Sequence, residues 1–122
     1  MTQPLALLLY EKLLPGTQLV NRLQDLGWRI HVIHDATALA QSAEEQKPVL
    51  VLVDLVSTKN KMTEAISGVR KNQSTAHIPI IAFSSDEALN QPAAAAGAHL
   101  VVGDAAILQH LNHFIDQALS DF

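Results

Sequence analysis

The stretch Val49-Leu50-Val51-Leu52-Val53-Asp54 constrains this chain more than any other part of it. Side chains alternate between the two faces of a strand, so a half-buried strand reads apolar at every second position. An unbroken apolar run describes a strand covered on both faces, which is the habit of parallel sheets. Parallel neighbours need a crossover, usually a helix, between them. The rest of the sequence supplies these parts. Leu5–Leu9 and Ile30–Ile33 read as strands, and Ile78–Phe83 and Leu100–Val102 add two more, with Pro79 near the start of its strand where a missing N–H costs least. Leu19, Leu23 and Leu26 share a helical face ahead of Gly27, and Met62, Ala65, Ile66 and Val69 repeat the spacing. Ile107, Leu108, Leu111, Phe114, Ile115, Ala118 and Leu119 form one stripe behind Asp104, a suitable N-cap. Ala36–Gln46 predicts a weaker helix stopped by Pro48, and Pro92 starts a short alanine helix closed by Gly97. Strands and helices thus alternate from end to end, which predicts one α/β domain over residues 1–122 with helices on both faces of a parallel sheet.

Composition narrows the function classes. At 48% hydrophobic but only 4% aromatic, the core must be aliphatic. The longest apolar runs, Leu5–Tyr10 and Val49–Val53, fall far short of the roughly 20 residues of a membrane span. Thr2-Gln3-Pro4 offers no basic stretch ahead of the first run, so no secretory leader is expected. With no cysteine, disulfides and thiolate chemistry are excluded, and the expected location is cytoplasmic. Residues 1–61 carry six Lys/Arg and six Asp/Glu, whereas residues 62–122 carry two and six, and no Lys or Arg follows Lys71. A nucleic-acid partner, which demands a cationic face, is not expected.

Ligands of an open doubly wound sheet bind beyond the carboxyl ends of the strands, where strand order reverses. That rule selects Tyr10 and Glu11, His34 and Asp35, Asp54, Ser84 and Ser85, and Gly103 and Asp104. Asp54 stands out, because packing does not explain an acid ending an all-apolar strand. A carboxylate there can also cap the following turn.

These residues resemble the receiver domains of two-component response regulators. Pro48-Val-Leu-Val-Leu-Val-Asp54-Leu55 looks like the third strand that ends in the phospho-accepting aspartate. Val69-Arg70-Lys71 followed by Ile78-Pro79-Ile80-Ile81-Ala82-Phe83-Ser84-Ser85 matches the helix end, loop and fourth strand without a gap, and Gly97-Ala98 resembles the pair before strand five. The resemblance spans the chain. It implies a CheY-like, flavodoxin-like α/β fold with strand order 2-1-3-4-5, Asp54 as phosphoacceptor and Ser84 as the switch hydroxyl. It also implies a partner in a phosphorelay, a histidine kinase or a downstream effector, and leaves room for a homodimer. The family's interaction face corresponds here to Ala95, Ala96, Val101 and Val102, on an alanine-rich surface that the sequence leaves without cations.

Departures from the pattern point to a divergent receiver, or pseudo-receiver. Where receivers carry two adjacent carboxylates for Mg²⁺, this chain has Tyr10-Glu11, so Glu11 and Asp54 form at most a weak Mg²⁺ site. The lysine expected after strand five is replaced by Gly103-Asp104, and Asp104 is expected to raise the pKa of Asp54. Val101 stands where a Tyr or Phe switch is usual, and Thr58-Lys59 where Pro-Gly is usual. Lys59 and Lys61 flank the site as replacement cations or as solvated loop residues. Phosphorylation of Asp54 is therefore expected to be weak or absent, with a working Mg²⁺-dependent acceptor as the alternative.

Other chemistries find little support. His110 and His113 lie i,i+3 but have no third ligand beside them. His34-Asp35 reads as a turn at the ligand edge. Gly-x-Ser-x-Gly and Gly-x-Gly-x-x-Gly motifs and a Gly-rich phosphate loop are absent from the sequence, so no enzyme is expected. A flavodoxin-like cofactor domain is the competing class, disfavoured by the scarcity of aromatics.

Overall fold

The apolar run is explained by the layering it enters. In a computed structural model describing residues 3–58 and 61–121, strand β3 (Leu50–Asp54) lies at the centre of a five-stranded sheet. Val51 and Val53 point to one side, Leu50 and Leu52 to the other, and all four are fully buried. Its neighbours are β1 (Leu5–Leu9) and β4 (Ile80–Ser84), with β2 (Arg29–Ile33) and β5 (Leu100–Gly103) at the edges. The order is β2-β1-β3-β4-β5 and every pairing is parallel. Both expectations from the sequence, the doubly wound α/β class and the 2-1-3-4-5 order, hold.

Helices cover each face. On one side α2 (Leu39–Gln46), α3 (Met62–Lys71) and α4 (Asn90–Ala96) pack Leu39, Ile66, Val69 and Ala93 against Leu7, Leu9 and Ile80. On the other, α1 (Leu13–Asp25), α5 (Asp104–Gln109) and α6 (Leu111–Asp121) pack Leu19, Leu23, Ile107 and Ile115 against Leu8, Ile81 and Phe83. No helix among the described residues is long and apolar enough to cross a membrane.

Several local expectations change. Val49 lies before the strand, 42% exposed, and Leu26 falls past the end of α1, 44% exposed. The reason at α1 is its C-terminal cap: Trp28 N–H donates to Leu23 O and Gly27 N–H to Gln24 O, with Gly27 at φ +88°. Ala36–Gln46 divides into a 3₁₀ turn, Ala36–Ala38, and α2. The last stripe spans two helices that break at His110, and Leu119 near its end is 39% exposed. Asp104 is not an N-cap. It is the first residue of α5, Gly103 holds the cap position, and no side chain caps that end.

Candidate functional site

Register decides which side chains meet at the carboxyl edge. Asp54 ends β3 opposite Phe83, Ser84 ends β4 opposite Gly103, and Leu9 pairs with Val53, so Tyr10, Glu11 and Lys12 continue past the sheet beside Asp54. Asp54 is fully buried. Its Oδ1 accepts the Val56 N–H at 3.0 Å, a cap of the following turn, while its Oδ2 has no hydrogen-bond partner among the described residues. Lys12 Nζ stands 3.8 Å from that Oδ2 and 3.0 Å from Asp104 Oδ2. Asp104 Oδ1 is also buried and has no hydrogen-bond partner among the described residues. One ammonium therefore bridges two carboxylates from the third and fifth strand ends.

Burial pushes the Asp54 carboxyl up to about 6, against the pull of the Val56 N–H and the Lys12 charge, and Asp104 and Glu11 push the same way as burial. The direction expected from Asp104 is right, but desolvation is the larger cause.

Glu11 faces elsewhere. Its carboxylate accepts the Ser57 hydroxyl, the Thr58 N–H at 3.1 Å and the Thr58 hydroxyl at 2.7 Å, so it organises the loop after β3. Ser84 is buried, and its hydroxyl donates to Asp86 O at 3.0 Å and accepts the Asp86 N–H at 2.8 Å. His34 sets Nδ1 3.1 Å from Tyr10 O and its ring edge-on to Tyr10 at 4.9 Å. Asp35 accepts the Thr37 N–H and hydroxyl, which lowers its pKa. Lys61 is exposed and 3.9 Å from Glu64, so the structure does not bring it to Asp54. Lys59 lies outside the described residues. His110 and His113 lie against Phe114, at ring distances of 6.4 and 5.7 Å.

Lys12 is the residue that sequence reasoning missed. It directly follows Glu11 at the end of β1, within the region the switch-point rule selects. Counting cations along the chain left the β5 side without one, whereas folding brings Lys12 to Asp104 and Arg70 to Gly97 O at 2.7 Å. Both cations come from segments outside the expected interaction face. Its four named residues also divide. Ala95 is exposed, Ala96 and Val101 pack partly against the α2–α4 side of the core, and Val102 packs against the α1 and α5–α6 side. Successive residues of an edge strand must point to opposite faces.

Two clefts among the described residues lie away from Asp54. One of about 690 Å³ lies at the opposite edge, among Gln3, Trp28, Arg29 and His31. Another, of about 490 Å³, runs between α2 and α3, lined by Asp35, Ala40, Glu64 and Gly68.

No protein-family model matches the chain, and no curated protein matches its sequence. Solved structures do match. The receiver domain of a sensor histidine kinase from Pseudomonas aeruginosa PAO1 aligns over 98% of this chain and 99% of its own, with a TM-score of 0.87 at 19% identity. Chemotaxis protein CheY4 of Vibrio cholerae aligns over 97% and 100%, with a TM-score of 0.85 at 16% identity. The receiver domain of a modulated diguanylate cyclase from Desulfovibrio desulfuricans G20 aligns over 98% and 96%, at 0.82 and 19%. The chain has the receiver-domain fold.

The Pseudomonas receiver was crystallised with a magnesium ion in its active-site cleft. The residues of the present chain do not fit that ion. Glu11, the expected partner of Asp54, is bound to Ser57 and Thr58, and an ammonium already faces the free oxygen of Asp54. Among the described residues, no group of three or more His, Cys, Asp or Glu is arranged to hold a metal.

Proposed function

We propose that this protein is a divergent receiver of a phosphorelay that works by binding another signalling protein, with phosphorylation of Asp54 weak or absent. The observation that carries this reading is the Lys12 bridge. An acceptor carboxylate must present a free oxygen to the phosphoryl group, and a metal and fixed cations must balance the charge of transfer. Here the free oxygen is buried beneath an ammonium shared with a second acid. A phosphoryl group would add roughly two negative charges beside Asp104, with Glu11 committed to the neighbouring loop.

On this reading the protein is not an enzyme, resides in the cytoplasm and binds a histidine kinase, a downstream effector or a second copy of itself. Contact through the β5 side, with Ala95, Ala96, Val101 and Val102 at its edge, rests on apolar packing. The same bridge favours one competing reading, a working acceptor in which Lys12 leaves Asp104 to pair with the phosphoryl oxygens. The test is an amide NMR comparison with beryllofluoride, a phosphoryl mimic, using Asp54→Ala as control. The proposal expects no Asp54-dependent shifts. Large shifts reaching Ser84 and Val101 would establish the acceptor.

A further inference from the structure

We propose that Lys12 is the resident cation of the Asp54–Asp104 pair, a tethered ammonium that takes the place of a divalent ion and binds the start of α1 to the β5–α5 corner. The inference rests on the same reading of the site and names the device that keeps it closed.

Two buried carboxylate oxygens, Asp54 Oδ2 and Asp104 Oδ1, lack a hydrogen-bond partner among the described residues. Acids placed this way repel each other unless a cation stands between them. Lys12 Nζ is that cation, within 4 Å of both acids, on a side chain only 35% exposed. Attachment to the chain makes its effective concentration at the site high, so an ion from solution must displace it rather than fill a gap. Mg²⁺ is a poor competitor because it dehydrates reluctantly and demands near-octahedral oxygen geometry. A fixed positive charge at the oxygen that Mg²⁺ would need adds repulsion. A second contact reinforces the tether: Arg22 Nη1 donates to Leu108 O at 3.2 Å, so α1 is fastened to α5 near both ends.

Removal of the ammonium uncovers two acids that each have an oxygen within 4 Å of the position it leaves. The divalent site so created belongs to Asp54 and Asp104, from the β3 and β5 ends, and not to Glu11. Lys61, exposed and 3.9 Å from Glu64, has no part in it.

The full chain is titrated with Mg²⁺ and followed by amide NMR. The wild type is expected to show no saturating shifts at Asp54, Val56 or Asp104 up to tens of millimolar. Lys12→Gln is expected to bind roughly tenfold tighter or better, with shifts at those three residues that disappear in Lys12→Gln/Asp54→Asn, while Lys61→Gln behaves as wild type. Saturating, Asp54-dependent binding by the wild type, or no gain in Lys12→Gln, overturns the proposal. Should Lys12→Gln fail to fold, the wild-type ammonium decides. The Lys12 Nζ resonance is expected to move in both Asp54→Asn and Asp104→Asn, and one indifferent to both overturns the tether. The two proposals fail separately. A chain that responds to beryllofluoride but does not bind Mg²⁺ alone loses the functional reading and keeps the tether. A chain that binds Mg²⁺ through Asp54 yet ignores beryllofluoride loses the tether and keeps the functional reading.

Discussion

Two basic side chains, Lys12 and Arg70, each join segments far apart in sequence, and they do so in opposite ways. Arg70, near the end of α3, donates to main-chain carbonyls: Nη1 to Ala76 and to Ile78 at 3.0 Å, and Nε and Nη2 to Gly97 at 3.0 and 2.7 Å. It thereby ties together the α3–β4 loop and the turn between α4 and β5. Burial lowers its pKa. Lys12 instead meets two carboxylates, each of which has an oxygen lacking a hydrogen-bond partner among the described residues. A guanidinium satisfies several fixed carbonyls at once, whereas an ammonium acts as a point charge that partners can share. The lesson is that Arg70 serves the fold, while Lys12 sets the electrostatic state of one pocket.

The comparison breaks most easily at Arg70. Arg70→Ala removes charge-assisted hydrogen bonds and leaves part-buried carbonyls unpaired, so a loss of about 4 kcal/mol is expected in urea unfolding. A loss below about 1 kcal/mol would erase the distinction. Asp54→Asn is expected to act in the other direction. Burial raises the folded-state pKa of Asp54 from 3.8 to about 6, so between these values the folded chain retains a proton that the unfolded chain has released. The stability associated with this group is therefore fully present at low pH and falls as pH rises to about 6. Asparagine keeps the oxygen that accepts the Val56 N–H and removes the buried charge. Asp54→Asn should gain up to roughly 3 kcal/mol above about pH 7, gain nothing near pH 4, and flatten the acid side of the stability curve.

Smaller changes sharpen the contrast. Gly97 has φ +121°, and a Cβ added there would lie 2.9 Å from Arg70 Cγ and 3.0 Å from its Nε. Gly97→Ala should cost about 2 kcal/mol through backbone strain and displacement of the guanidinium, measurable by thermal unfolding. Combined with Arg70→Ala, its effect should be smaller than alone, because the displaced group is gone. Lys12→Gln is expected to have the smallest effect on stability, about 1 kcal/mol above about pH 6 and less below, since the partly exposed ammonium attracts Asp54 only when that acid is ionised. A pH-independent loss as large as that of Arg70→Ala would make Lys12 a structural residue.

The sheet was legible in the sequence because burial on both faces leaves a local mark. Val51 and Leu52 must both be apolar when helices cover both sides of β3, and Leu5–Leu9 carries the same mark. Asp54 and Ser84 were legible at strand ends for a related reason, as polar residues that break apolar runs. Helix ends were less so, since Asp104 fits the N-cap preference and yet bonds Lys12 across the sheet, and the break at His110 leaves no Gly or Pro to announce it. Lys12 could not be identified from the sequence pattern alone. The Asp104 it holds is 92 residues away, and no periodicity or turn preference records which side chains a parallel register brings to one edge. The sequence by itself determined which segments are strands, which faces are buried and that an acid ends the central strand, because these follow from nearest neighbours along the chain and the alternation of side chains. Only the tertiary structure decided which cation stands over that acid. Coulomb attraction acts through space, and the distance between Lys12 and Asp54 is set by the order of the strands.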